Sequence, residues 1–210
     1  MCLNKASEKK VAKDTVMYKV FIERNGKLVS PFEYEPLTDD MIAGTVPYAA
    51  RRVERDDYYE RRTECNRKIT SGFVHGYADK RSALNDLYMF YARNFDSCLI
   101  AKCRIPDGEA YYDGIFDQDC DAHVRATRAV FVERVEEMFC TKLAMEDRAK
   151  YGRLHVFAVK GKTPAECVKE FHAIRMKAYG ASQTATAETL EWEDAENEPD
   201  MFAQENDRKQ

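Results

Sequence analysis

The dipeptide Asn25-Gly26 is the feature that most restricts how this chain can fold. It follows Met17-Tyr18-Lys19-Val20-Phe21-Ile22-Glu23, an alternating run rich in β-forming residues, and precedes Lys27-Leu28-Val29-Ser30, which Pro31 closes. Asn-Gly accepts the positive φ that a two-residue hairpin loop demands, and the flanking runs have strand character. An antiparallel hairpin is therefore expected here, which makes antiparallel pairing the starting point for any sheet.

Further elements follow by the same reasoning. Between Thr38 and Val53 no pattern stands out, and Pro36 and Pro47 break any long helix. The segment from Ile69 to Ala78 holds a short strand and a turn, and Asp79 then caps a helix with Leu84, Leu87, Tyr88 and Tyr91 on one face. Cys98 to Ile105 is a strand ended by the turn Pro106-Asp107-Gly108, and Ala110 to Phe116 is another strand or an extended loop. Alternation predicts a strand over Arg125 to Val135, helical character from Glu133 to Tyr151, and a last strand at Leu154 to Val159. Thr163, Pro164 and Glu166 form an N-terminal box for a final helix carrying Val168, Phe171, Ile174, Arg175 and Ala178, with Gly180 at its C-cap. Strands and helices do not alternate regularly. The predicted class is α+β, a mainly antiparallel sheet with two to three packed helices and a disordered C-terminal tail.

Charge divides the chain. Residues 181–210 hold nine acids and two bases, net −7, so that residues 1–180 stand at +3 within an overall −4. This gives a flexible lead-in over 1–15, one α+β domain over 16–180 and an acidic, disordered tail over 181–210. A body at +3 lacks the basic footprint typical of nucleic-acid binders without excluding that role. Arg51 to Arg62 mixes five Arg with four acids and reads as a solvated surface more than a phosphate patch. Seven cysteines, with no CxxC pair, fit reduced thiols. The absence of a signal-like N-terminus or an apolar span predicts a cytoplasmic protein with no membrane partner.

Chemistry-bearing motifs are few. Asp113, Asp117, Asp119 and Asp121, with Cys120 and His123, are the densest set of potential ligands. The calcium-loop pattern fails, because Ala122 stands where the turn glycine belongs and Arg128 where the bidentate Glu belongs. No metal site is expected. His75 lies in a tight turn between aromatics and glycines, where a side chain can stand beside a ligand. No phosphate loop, nucleophile elbow or HExxH helix occurs, so no catalytic residue is assigned.

Tyr18-Lys19-Val20-Phe21, Gly26 to Phe32, Gly72-Phe73, Lys102 to Gly108, Tyr111 to Gly114 and Thr127-Arg128-Ala129 together resemble a layout found in small uncharacterised proteins of bacteriophages and gut bacteria. The resemblance spans about residues 17–136. It implies a compact sheet-rich domain acting in a bacterial host cell. A fainter likeness is to ADP-ribosyltransferases, with their YRxF-like strand, aromatic-Ser strand and IPxG turn. It implies a nucleotide-binding face at Tyr18, His75 and Arg128, with NAD as the ligand. Lys19 stands where that family has its NAD-binding Arg, His75 stands near the expected Ser, and no clear ExE motif follows.

The tail carries spaced apolar residues, Leu190, Trp192, Met201 and Phe202, in an acidic background. Such segments dock on basic, hydrophobic grooves, either of a partner or of their own domain. The function expected is that of a phage or mobile-element type accessory protein. It acts without catalysis or cofactor by binding a host macromolecule, most readily another protein, as an inhibitor would. The alternative is an ADP-ribosyltransferase-like nucleotide-binding protein, active or degenerate.

Overall fold

The structure, a computed structural model, describes residues 3–24, 26–31, 36–50, 60–63, 66–69, 72–87, 97–116, 122–140 and 161–179. Several sequence expectations lie outside these residues: Asn25 of the turn, Arg51 to Tyr59, Tyr88 and Tyr91, the Asp117–Asp121 loop, the stretch 141–151, the strand at 154–159, Gly180 and the tail.

Twelve strands are present among the described residues. They are β1 (Leu3–Asn4), β2 (Lys10–Val11), β3 (Val16–Arg24), β4 (Lys27–Val29), β5 (Tyr48–Ala49) and β6 (Glu60–Thr63), then β7 (Asn66–Ile69), β8 (Val74–Tyr77), β9 (Ser97–Arg104), β10 (Ala110–Phe116), β11 (His123–Thr127) and β12 (Ala129–Cys140). Three helices join them: α1 (Asp39–Ile42), α2 (Lys80–Asp86) and α3 (Pro164–Tyr179). The sheet runs β5-β12-β9-β3-β8-β11-β10-β1-β7-β6, with β2 beside β10 and β4 beside β3. Every strand pairing is antiparallel. The α+β class with a mainly antiparallel sheet is what the sequence predicts.

The hairpin forms as expected, with Ile22 opposite Val29 and Arg24 opposite Lys27, and Gly26 at φ +73°. The other edge of β3 pairs with β9 from Val16↔Arg104 to Ile22↔Cys98. These two strands are central and covered on both faces, so their sequences run apolar almost without a break. Val20, Ile22, Cys98 and Ile100 join one core cluster with Phe73, Tyr77, Leu87 and Val124. Met17, Phe21, Leu99, Ala101 and Cys103 join a second with Tyr48, Val132, Val168 and Phe171. Cys98 and Cys103 thus fall on opposite faces, as an odd spacing on one strand requires. The N-terminal residues contribute β1 and β2, and Leu3 is fully buried.

Two expectations are corrected. Arg125 to Val135 is not one strand: β11 pairs with β8 and β10, Arg128 makes the break, and β12 pairs with β9 and β5. The helix expected from Glu133 is strand up to Cys140. The register of β12 against β9 slips between Val132 and Arg134, and again between Val135 and Glu137. Each slip inserts a residue, which places Val132, Val135 and Met138 on the same core face at three-residue spacing. That spacing imitates a helix. The indistinct stretch after Thr38 contains a single helical turn, α1.

Candidate functional site

The hairpin and two helices enclose a concavity. After β4 the chain returns antiparallel, pairing Val29 with Pro36, and the Leu37 amide donates to the Leu28 carbonyl at 2.8 Å. Thr38 is the N-cap of α1, its Oγ1 accepting from the Met41 amide at 3.3 Å. Gly44 follows at φ +73°, where a Cβ would lie 2.4 Å from the Val132 carbonyl oxygen, so α1 sits close on β12. The third wall is α3. Its box is formed as expected, the Thr163 amide donating to Glu166 Oε2 at 2.7 Å and the Glu166 amide to Thr163 Oγ1 at 3.3 Å.

A buried charge fixes α3 against β3. Glu23, the last inward residue of β3, has a side chain only 2 % exposed and takes an ion pair from Arg175 at 3.0 Å. His172 Nδ1 lies 3.3 Å from its other oxygen, which receives no aligned hydrogen bond among the described residues. Between hairpin, α1 and α3 lies a groove of about 590 Å³. Leu28, Leu37, Ile42, Ala165 and Val168 supply apolar walls, while Lys27, Lys169, His172 and Asp39 stand on it as polar groups. Its volume is in the range of sites that hold a small molecule or a few side chains of a peptide.

The three residues singled out from sequence lie elsewhere. His75 is on β8, its Nδ1 3.0 Å from the Phe73 carbonyl and its buried Nε2 without a hydrogen bond among the described residues. Burial pushes its pKa down to about 3, with the Lys19 ammonium acting in the same direction. Arg128 donates to the Gly72 carbonyl at 2.5 Å, and its guanidinium lies 4.1 Å from the centre of the Phe73 ring. His75 and Arg128 therefore converge on the segment Gly72-Phe73. Tyr18 is on β3, opposite Tyr77 of β8 and Lys102 of β9, and packs on the first core cluster.

Lys19, beside Tyr18, is 5 % exposed. Its Nζ donates to the His75 carbonyl at 3.1 Å and to Ser30 Oγ at 3.3 Å, and lies 5.5 Å and 5.6 Å from the ring centres of Phe21 and Tyr48. The nearby Cys103 thiol is pushed up to about 12 by burial. No protein-family model, curated protein or solved structure matches the chain. The chemistry of these sites therefore rests on their own geometry.

Of the carboxylates considered as ligands, Asp113 is described, and it accepts from Lys10 at 2.7 Å and from Arg125 at 2.9 Å. Burial opposes its ionisation, but these two hydrogen bonds hold its carboxyl below the usual range. Among the described residues no three His, Cys, Asp or Glu side chains are grouped to hold a metal, and no helix is long and apolar enough to cross a membrane. Leu190, Trp192, Met201 and Phe202 lie outside the described residues. The groove residues were not singled out from sequence. The Thr163 to Glu166 box marks the start of α3, whereas α1 falls in a stretch where no pattern stands out, and only the sheet brings both helix starts to the hairpin.

Proposed function

We propose that this chain is a non-enzymatic accessory protein of the phage or mobile-element type. It works by holding a segment of a host protein in the groove between β3–β4, α1 and α3. The observation that carries the reading is the groove itself: apolar walls from three elements, with Lys27 and Lys169 placed to meet acidic groups. Such an arrangement suits a peptide with apolar anchors and a negative background.

The test compares the full chain with Ala165→Glu, an exposed wall position where a longer acidic side chain fills and recharges the groove. A bacterial protein captured by the wild type is purified and titrated against both chains and against Val11→Glu, which lies outside the groove. Binding lost only with Ala165→Glu supports the reading, and equal binding to all three contradicts it.

A second reading, an ADP-ribosyltransferase-like nucleotide-binding protein, draws on the convergence of His75 and Arg128 beside an aromatic ring. NAD would then raise the unfolding temperature of the wild type, with the gain lost in Arg128→Ala.

A further inference from the structure

The groove shares a wall with the element from which the acidic tail departs. α3 contributes Ala165, Val168, Lys169 and His172 to the groove and ends at Tyr179, after which residues 181–210 carry net −7 and the chain's one tryptophan. We infer that the resting protein's groove is occupied by its own C-terminal segment, with Leu190 and Trp192 against Leu28, Leu37, Ile42 and Val168, so that a partner binds by displacing it. This rests on the reading of the groove as a peptide site and adds its regulation.

Reach permits it. Val168 lies eleven residues before Tyr179, about 16 Å along the helix at 1.5 Å per residue. Trp192 lies thirteen residues beyond Tyr179, and an extended chain of that length spans roughly 40 Å. Charge favours it too. Glu188, Glu191, Glu193 and Asp194 flank the two anchors, and exposed Lys27 and Lys169 face the groove. Among the described residues of the lining, Asp39 is the one opposing acid. Tethering adds the deciding contribution, since a segment on a short linker acts at an effective concentration of about millimolar, so even weak contacts keep it seated. A competing segment must bind tightly enough to overcome that.

Because Trp192 is unique, its fluorescence reports on the segment without labelling. Acrylamide quenching is measured on the full chain, native and in urea, and on the double reversal Lys27→Glu/Lys169→Glu, both exposed positions. The expected result is a quenching constant several-fold lower in the native wild type than in urea, rising about twofold or more in the double variant as the lysine attraction is reversed. A native Trp192 quenched as in urea, or one shielded equally in both chains, overturns the inference. A second arm separates this from the groove reading. A labelled synthetic peptide of residues 185–205 is titrated against the wild type and against full-length Leu190→Ala/Trp192→Ala. Binding about tenfold tighter to the variant is expected, because the internal competitor has lost its anchors. Equal binding to both chains overturns self-occupancy while the groove reading stands, and binding to neither overturns both.

Discussion

His75 is the clearest case of a residue whose surroundings decide its chemistry. An imidazole ordinarily titrates near 6.5, and burial takes this one to about 3. Between these values the unfolded chain holds a proton that the native chain does not, so stability falls as pH drops below about 6.5. The slope is at most about 1.4 kcal/mol per pH unit. His75→Gln should therefore show a flatter decline of the urea midpoint between pH 6.5 and 4.5 than the wild type. Asp113 and Glu136, whose carboxyls are held below their usual range, contribute stability that is lost at lower pH, in both chains alike. Glu23 makes the complementary point for charge. With its partner Arg175 removed it becomes a buried carboxylate lacking its main counter-ion, so Arg175→Ala should cost about 3 kcal/mol. Glu23→Gln/Arg175→Met should recover most of that in chemical denaturation. The sequence showed that His75 was unusual, through the glycines and aromatics around it. It did not show that burial would hold the ring neutral, since burial depends on which strands close over β8.

Among the elements, those defined by local chemistry were legible and those defined by long-range pairing were not. The Asn-Gly hairpin, the Asp79 cap, the Pro106-Asp107-Gly108 turn and the Thr163 box each carry their instruction within a few residues, and each forms as expected. Past Glu133 the sequence of β12 imitates a helix because its two register slips convert a two-residue period into steps of three. Those slips belong to its pairing with β9, which no local window contains. Gly76 illustrates the same dependence. A Cβ there would lie 2.4 Å from Met17 Cε and 2.8 Å from the Tyr18 carbonyl oxygen, where β8 meets β3 through the single pair Tyr18↔Tyr77. The methionine tip can move aside, but the carbonyl is backbone. Gly76→Ala should therefore lower stability by about 2 kcal/mol, read as a fall in the urea midpoint at unchanged slope.

At the scale of the molecule, one sheet carries a core cluster on each face, and alternate residues of β3 and β9 enter the one and the other. The second cluster is the one that builds the groove, because α1 and α3 both rest on it through Ile42, Cys167, Val168 and Phe171. The fold class was legible from the spacing of strands and turns. The groove was not, because α3 lies more than a hundred residues beyond the hairpin and α1 and shares no motif with them. Its residues look like ordinary core and surface until the sheet places them together. Whether this concavity holds a peptide segment is decided by a photo-crosslinking side chain placed at Ala165, with Val11 as the control position. Both residues are exposed, but only Ala165 lines the groove. In bacterial cells Ala165 is expected to yield a discrete adduct, either to one host protein or to peptides from residues 181–210 of the same chain, and Val11 is not. No adduct at Ala165, or the same adducts from both positions, would contradict a peptide segment in the groove.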